Sequence, residues 1–388
     1  MVLAACCRGE EARVVRSVRL TGIFGALAAF VPSVVLAQVT PAAGFTPPDD
    51  TPSIRVGVTL YADYTYTQNP QSADADGNTI NPGAFNVGRS YINVTGNISH
   101  IVAFRITPDI VRQSGLLTLG PGSSVSNDSL VFRIKYAFAQ INLDDWMTRG
   151  SWVRLGIQQS PLLDYEENIY RYRFQGTTFT EREGFYNSSD AGASFHYNFP
   201  SNYGDVHVGV YNGEGYAKTD PNDQKAIEIR GSARPFARNM PILRGLRVTG
   251  FYFGDNYIKD AERTRAVGQV TFESTYLAAG FDAIKAHDQP SIKVADVAAS
   301  GWSWWATPKK PFPNGSSWEA LLRYDHLRPN TGVDADRTRT IVGVAYWFPH
   351  QGAVSTALLL DYDGQTFQNF APAQPAQKRI AVHGLVNF

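Results

Sequence analysis

The stretch Val131–Leu143, "VFRIKYAFAQINL", decides how the rest of this chain is read. Every second residue falls into one of two rows. Phe132, Ile134, Tyr136 and Phe138 make one, and Val131, Arg133, Lys135, Ala137 and Ala139 make the other. Successive side chains of a strand point to opposite faces, so the pattern predicts a strand with one oily face and one basic face. Such a strand needs a different medium on each side.

The same period of two recurs to the last residue. In "SIRVGVTLYADYTY", Ile54, Val56, Val58, Leu60, Ala62 and Tyr64 oppose Arg55, Thr59 and Asp63. In "SWEALLRYDHL", Trp318, Ala320, Leu322 and Tyr324 oppose Glu319, Arg323 and Asp325. About 16 such segments follow one another, each about as long as a tilted strand needs to cross a bilayer. Their expected starts are Ile54, Phe85, Ile101, Val131, Trp152, Asp190, Gly204, Ala226, Leu246, Arg263, Tyr276, Val297, Ser316, Arg337, Val354 and Gln377. Those near Leu246 and Val297 alternate poorly.

The 388-residue chain is 43% hydrophobic, which excludes a disordered protein. Arg8, Arg13, Arg16 and Arg19 precede the apolar run "LTGIFGALAAFVPSVVLA", and small residues close it. This predicts a secretory signal peptide over 1–37. A proline-rich, flexible lead-in over 38–52 and one β domain over 53–388 follow. Both cysteines, Cys6 and Cys7, fall in the leader, so the rest of the chain has neither disulfides nor thiolate metal sites. The leader holds four of the 35 basic and two of the 35 acidic residues, which leaves a slight acidic excess and no charge argument for nucleic acid.

Long polar connections follow odd-numbered strands and short ones follow most even-numbered strands. "SH" (Ser99–His100) and "ST" (Ser274–Thr275) are short, whereas "TQNPQSADADGNTINPG" and "NGEGYAKTDPNDQ" are long. Ala237–Gly245 and Pro308–Gly315 are longer than this rule allows. An antiparallel transmembrane β-barrel with tight turns at one rim and loops at the other requires the alternation. A bilayer cannot solvate open strand edges, so the strands must close, with oily rows toward lipid and charged rows inward. With about 16 strands the interior is an aqueous channel.

This parity makes Arg55, Arg105, Arg133, Lys135, Arg154, Arg230, Arg234, Arg323 and Arg379 candidate pore-lining residues. A basic wall of low dielectric favours anions. The longest connection, Ser160–Ser189, is too aromatic for a solvated loop and is expected to fold into the lumen as a constriction. Its candidate lining residues are Tyr165, Tyr170, Arg171, Tyr172, Arg173 and Arg182. Aromatic residues near strand ends, among them Trp302, Trp304, Trp305 and Tyr346–Phe348, are expected to form girdles at the lipid headgroups. No nucleophile-elbow, zinc-protease or phosphate-loop motif occurs, so neither an enzyme nor a cofactor is expected. A channel specific for sugars or oligomers and a barrel enzyme are the alternatives.

Three segments carry a family resemblance. "VRLGIQQSPLLDYEENIY" (Val153–Tyr170) is similar to the strand and proline segment that leads into the constriction loop of the phosphate-selective porins of the O and P family. "VGVYNGEGY" (Val208–Tyr216) resembles that family's strand ending in an Asn-Gly turn, and the terminal "GLVNF" with Phe388 last resembles the signal read by the outer-membrane assembly machinery. The resemblance implies a 16-stranded barrel in the bacterial outer membrane, assembled as a homotrimer in its lipid. It also implies passive diffusion of small hydrophilic solutes, inorganic phosphate among them. Unlike the lysine-rich family loop, Ser160–Ser189 holds no lysine and more acids than bases.

Overall fold

The computed structural model describes residues 49–112, 116–120, 123–126, 130–220, 222–238, 240–349 and 354–388. The expected leader and most of the lead-in lie outside the described residues. All 16 expected strands are present, and each begins within two residues of its expected start. They are β1 (Ser53–Asn69), β2 (Gly83–Asn97), β3 (Val102–Arg112), β4 (Leu130–Asn142), β5 (Trp152–Gln159) and β6 (Ser189–Asn198). Next come β7 (Gly204–Tyr211), β8 (Ala226–Ala233), β9 (Leu246–Ile258), β10 (Ala261–Glu273) and β11 (Leu277–Asp288). The last are β12 (Val297–Pro311), β13 (Ser317–Arg328), β14 (Asp336–Trp347), β15 (Ser355–Gln368) and β16 (Gln377–Asn387).

Each strand pairs antiparallel with its sequence neighbour, and β16 pairs back onto β1 to close the barrel. At the seam the backbone groups of Val58 and Phe388 exchange two hydrogen bonds, of 2.9 and 3.1 Å. Closure gives each of the 16 barrel strands a partner on both sides. The outward rows are apolar: Phe85 is 84% and Leu155 67% exposed. The opposite rows carry the charges, with Arg154, Arg230, Arg323 and Asp361 all buried. A barrel with oil outside and charge inside is the inverse of a water-soluble protein, and hydrocarbon is the medium that stabilises it.

The opening segment obeys the expected parity only halfway. Phe132 and Ile134 face outward, but Tyr136 and Phe138 are buried inside. The register slips between β3 and β4: Thr107 faces Tyr136 while Pro108 faces Ile134, so Lys135 is left over as a bulge. Pro108 has no N–H to offer the ladder, and an extra residue on the partner strand absorbs the fault. Beyond the bulge the rows exchange. Ala137, Ala139 and Ile141 now face lipid, and Lys135 and Tyr136 both face the lumen.

The connection rule also needs correction. Only Lys259 and Asp260 join β9 to β10, with Asp260 at φ +64°, although a long connection is expected there. The connection over 234–245 stays long on the short-turn rim. Pro308–Pro311 extend β12, so that turn shortens to 312–316. The poor alternation of β9 has a structural cause. Its inner row includes Phe251 and Phe253, which pack against the inserted loop and not against water.

Candidate functional site

The connection between β5 and β6 lies inside the barrel. It opens with helix α1 (Pro161–Ile169) and contains a single turn of helix, α2 (Phe179–Arg182). Pro161 takes the first helical position, where its missing N–H costs nothing. Two apolar clusters hold the loop to one half of the wall. Leu162, Leu163, Phe179, Phe185 and Tyr186 pack on Phe251, Phe253, Val267 and Ile284. Tyr165, Ile169, Tyr170, Tyr172 and Phe174 pack on Trp305, Leu321, Ile341, Trp347 and Leu359.

Tyr165, Tyr170 and Tyr172 are therefore anchors. They are buried against the wall, which corrects the expectation that they line open space. Trp305 and Trp347 likewise point inward as the other half of this contact, not outward to headgroups, because the odd-numbered residues of β12 and β14 hold the inner row.

Polar contacts fix the loop at both ends. The Tyr172 hydroxyl donates to Glu319 Oε2 at 2.9 Å, and Arg171 donates to Glu319 Oε1 at 2.6 Å while covering the Trp347 ring at 4.3 Å. Arg323 donates to both Asp325 oxygens at 2.8 Å and to the Thr177 carbonyl at 2.9 Å. Arg173 bridges Glu167, at 2.7 Å, and Glu181. Burial raises the Glu181 carboxyl, but the attached Arg173 outweighs it and holds the group down at about 2. Burial, with Asp282 opposite, pushes the Glu166 carboxyl well up. Burial and the crowding guanidinium groups of Arg323 and Arg339 lower Arg182 to about 10, and it donates to Gln175 at 3.0 Å.

The rest of the lumen lies against β1, β2, β15 and β16. A cavity of about 270 Å³ there is bounded by Tyr61, Asp63, Arg89, Asp361, Asp363, Arg379 and His383 on the wall and by Arg173–Thr177 on the loop. Next to it, β2 to β4 present a basic face. Arg133 donates through Nε and Nη2 to Asp109 at 3.0 and 2.9 Å, and Arg89 lies 3.5 Å from the same carboxylate. Arg105 donates to Asn93 and Thr107 and lies over the Tyr136 ring at 4.4 Å. Lys135 is 2% exposed, 3.3 Å from the Tyr91 hydroxyl and 4.8 Å from that ring's centre. Among the described residues neither Arg105 nor Lys135 has a carboxylate partner.

The other expected residues divide by partner. Arg154 lies 3.6 Å from Asp164 and stacks on Trp152 at 3.7 Å. Arg230 pairs with Asp205. Arg234 lies beyond the end of β8 and donates to the backbone carbonyls of Asn202 and Arg244, at 3.0 and 2.7 Å. Arg379 borders the cavity and, among the described residues, donates to Gln377 at 3.5 Å. Arg55 is exposed near the start of β1. Sequence reasoning missed Tyr136 as an inner-wall residue. The available signal was Pro108, a proline inside a strand pattern.

No family model and no curated protein matches the chain. Solved structures do. A loop-deletion form of OmpT, an outer membrane protein of Vibrio cholerae, matches with a TM-score of 0.56 at 12% identity, over 87% of this chain and 100% of that one. The chain has the porin fold. An anion-selective porin from Comamonas acidovorans matches with a TM-score of 0.55 at 11% identity, covering 87% of this chain and 100% of its own. The outer membrane channel DcaP of Acinetobacter baumannii gives 0.54 at 12% identity over 89% and 100%.

Proposed function

We propose that this protein is a passive channel of the bacterial outer membrane that admits small hydrophilic solutes and prefers anions. The observation that carries the reading is the basic face of β2 to β4. Among the described residues Arg105 stands there without a carboxylate, beside the part-exposed Arg89 and Arg133, which share Asp109, while Lys135 is buried against Tyr91 and adds its charge from within the wall. A low-dielectric wall focuses such a charge surplus on the remaining passage. Arg379 adds a cation on the far side of the cavity, against Asp63, Asp361 and Asp363. The preference is consequently mild, and inorganic phosphate is one anion among several that the passage admits. The anion-selective porin of similar fold supports the reading, and a trimer form of OmpT supports a homotrimer. The seam closed by Phe388 fits a last residue read by the assembly machinery.

The test is the reversal potential of single channels in a potassium chloride gradient, followed by titration with phosphate. The expected potential has the sign of anion selectivity. A cation-selective potential overturns the role given to the basic face. A chain that forms no conducting channel overturns the function.

A further inference from the structure

Two charges of opposite sign stand uncommitted beside one cavity in the lumen. The cavity, of about 270 Å³, is bordered by Asp63 on β1, Asp361 and Asp363 on β15, and Arg379 and His383 on β16. Most of the charges around it already have a partner. Asp363 pairs with Arg339 at 2.8 Å, and Asp361 meets His383 at 3.2 Å. Arg173, on the loop side, is held by Glu167 and Glu181. Asp63 and Arg379 differ. Asp63 Oδ2 accepts from the neutral Thr65 hydroxyl at 2.8 Å and from the Asn86 amide at 3.1 Å. Arg379 is exposed and donates to the neutral Gln377. Among the described residues neither forms an ion pair.

The register keeps these two charges apart. Across the seam Asp63 faces His383, whereas Arg379 faces Thr67. Their positions are therefore four residues apart along the wall, about 13 Å at roughly 3.3 Å per residue. A solute that carries both signs can span this gap. An extended dipeptide measures about 7 Å end to end, and the arginine and aspartate side chains reach over the remainder. The cavity is smaller than the roughly 300–1,000 Å³ of pockets for drug-sized ligands, which suits so small a solute. Asp361 adds an acceptor on the acidic side. It is 3% exposed, and its Oδ2 has no hydrogen-bond partner among the described residues.

We propose that this cavity is a passage site for small zwitterions of dipeptide length. The ammonium group sits on the side of Asp63 and Asp361, and the carboxylate sits against Arg379. A simple anion gains at Arg379 and loses at Asp63, and a simple cation does the reverse. A zwitterion gains at both ends. The inference rests on the channel reading and names a class of solute for it.

Swelling of proteoliposomes that hold the full chain tests it, with glycylglycine compared against N-acetylglycinamide, a neutral solute of similar size. Glycylglycine should enter about fivefold faster, the Coulomb gain of one charge pair in water. Asp63→Asn and Arg379→Gln should each bring the two rates together, and Arg379→Lys should keep them apart. Entry of the neutral solute shows in each variant that the barrel has assembled, and either variant alone suffices for the test. Glycine is too short to reach both charges, so it should gain less over acetamide. Equal rates for glycylglycine and N-acetylglycinamide in the wild type, or an unchanged ratio in an assembled Asp63→Asn or Arg379→Gln barrel, overturn the proposal and leave the channel reading standing. An equal gain for glycine means that the two charges act separately, and overturns it as well. A chain that admits neither solute overturns the channel reading and this proposal with it.

Discussion

At the scale of single residues, the site depends on which cations keep a partner. Arg171 ties the loop to Glu319 of the wall, Arg173 ties two loop carboxylates together, and Arg323, paired with Asp325 on its own strand, donates to the loop's Thr177 carbonyl, whereas among the described residues Arg105 and Lys135 have only neutral hydrogen-bond partners. Arg105→Gln should therefore weaken anion preference, by about fivefold at most, the value of ~1 kcal/mol between charges 4 Å apart in water. The reversal potential measures this. Arg323→Gln should leave selectivity nearly unchanged and loosen the loop. Glu181 makes a pH prediction. Its folded carboxyl sits at about 2 against an ordinary 4.5, so its contribution is complete above 4.5 and is lost as pH falls through about 2. Glu181→Gln should leave Arg173 with Glu167 as its one charged partner among the described residues, remove one negative charge beside the cavity, and raise anion preference at neutral pH. In the wild type that change should come only near pH 2, as a conductance titration would show.

At the scale of elements, two devices shape the lumen. The first is the bulge that Pro108 imposes on β4. It turns Ala137 toward lipid and leaves Gln140 inside, where Gln140 meets Arg154 at 2.8 Å. Ala137→Arg should cost about 2–4 kcal/mol in a urea titration of the lipid-embedded barrel, and Gln140→Arg much less. Equal costs would mean the rows do not exchange. The second device is the apolar seat of α1. Leu162 and Leu163 are both 1% exposed, and truncating either to alanine should cost about 2–5 kcal/mol of loop attachment. Larger conductance and more open-channel noise should follow, read in planar bilayers.

At the scale of the whole molecule, the barrel is an asymmetric tube. The loop and its apolar seat lie against β7 to β16, and the cavity lies against β1, β2, β15 and β16, next to the basic face of β2 to β4. Solutes thus pass between the basic face and the loop's Arg173–Thr177 segment. The field that selects them acts over a few ångströms of water. Ion preference should consequently be strong near 0.1 M salt, where the screening length is about 10 Å, and nearly absent at 1 M, where it is about 3 Å. Selectivity that persists at 1 M would point to a binding site for the ion and away from a diffuse field.

The sequence by itself determined the number of strands, their starts, and the medium on each side of most of them. Those properties follow from a period of two within one strand, which is local. The placement of Ser160–Ser189 in the lumen was also legible, because so many aromatic residues cannot stay in water. Only the tertiary structure decided the rest. Residue Lys135 became a bulge because of a proline on the neighbouring strand. Tyr170 and Trp347 turned to each other's cluster because loop and wall are far apart in sequence. Arg105 lacks a carboxylate because its cross-strand neighbours happen to be Asn93 and Thr107. Partnering across strands is a non-local property, and it is the partnering that separates a charge holding the wall together from a charge facing the solute.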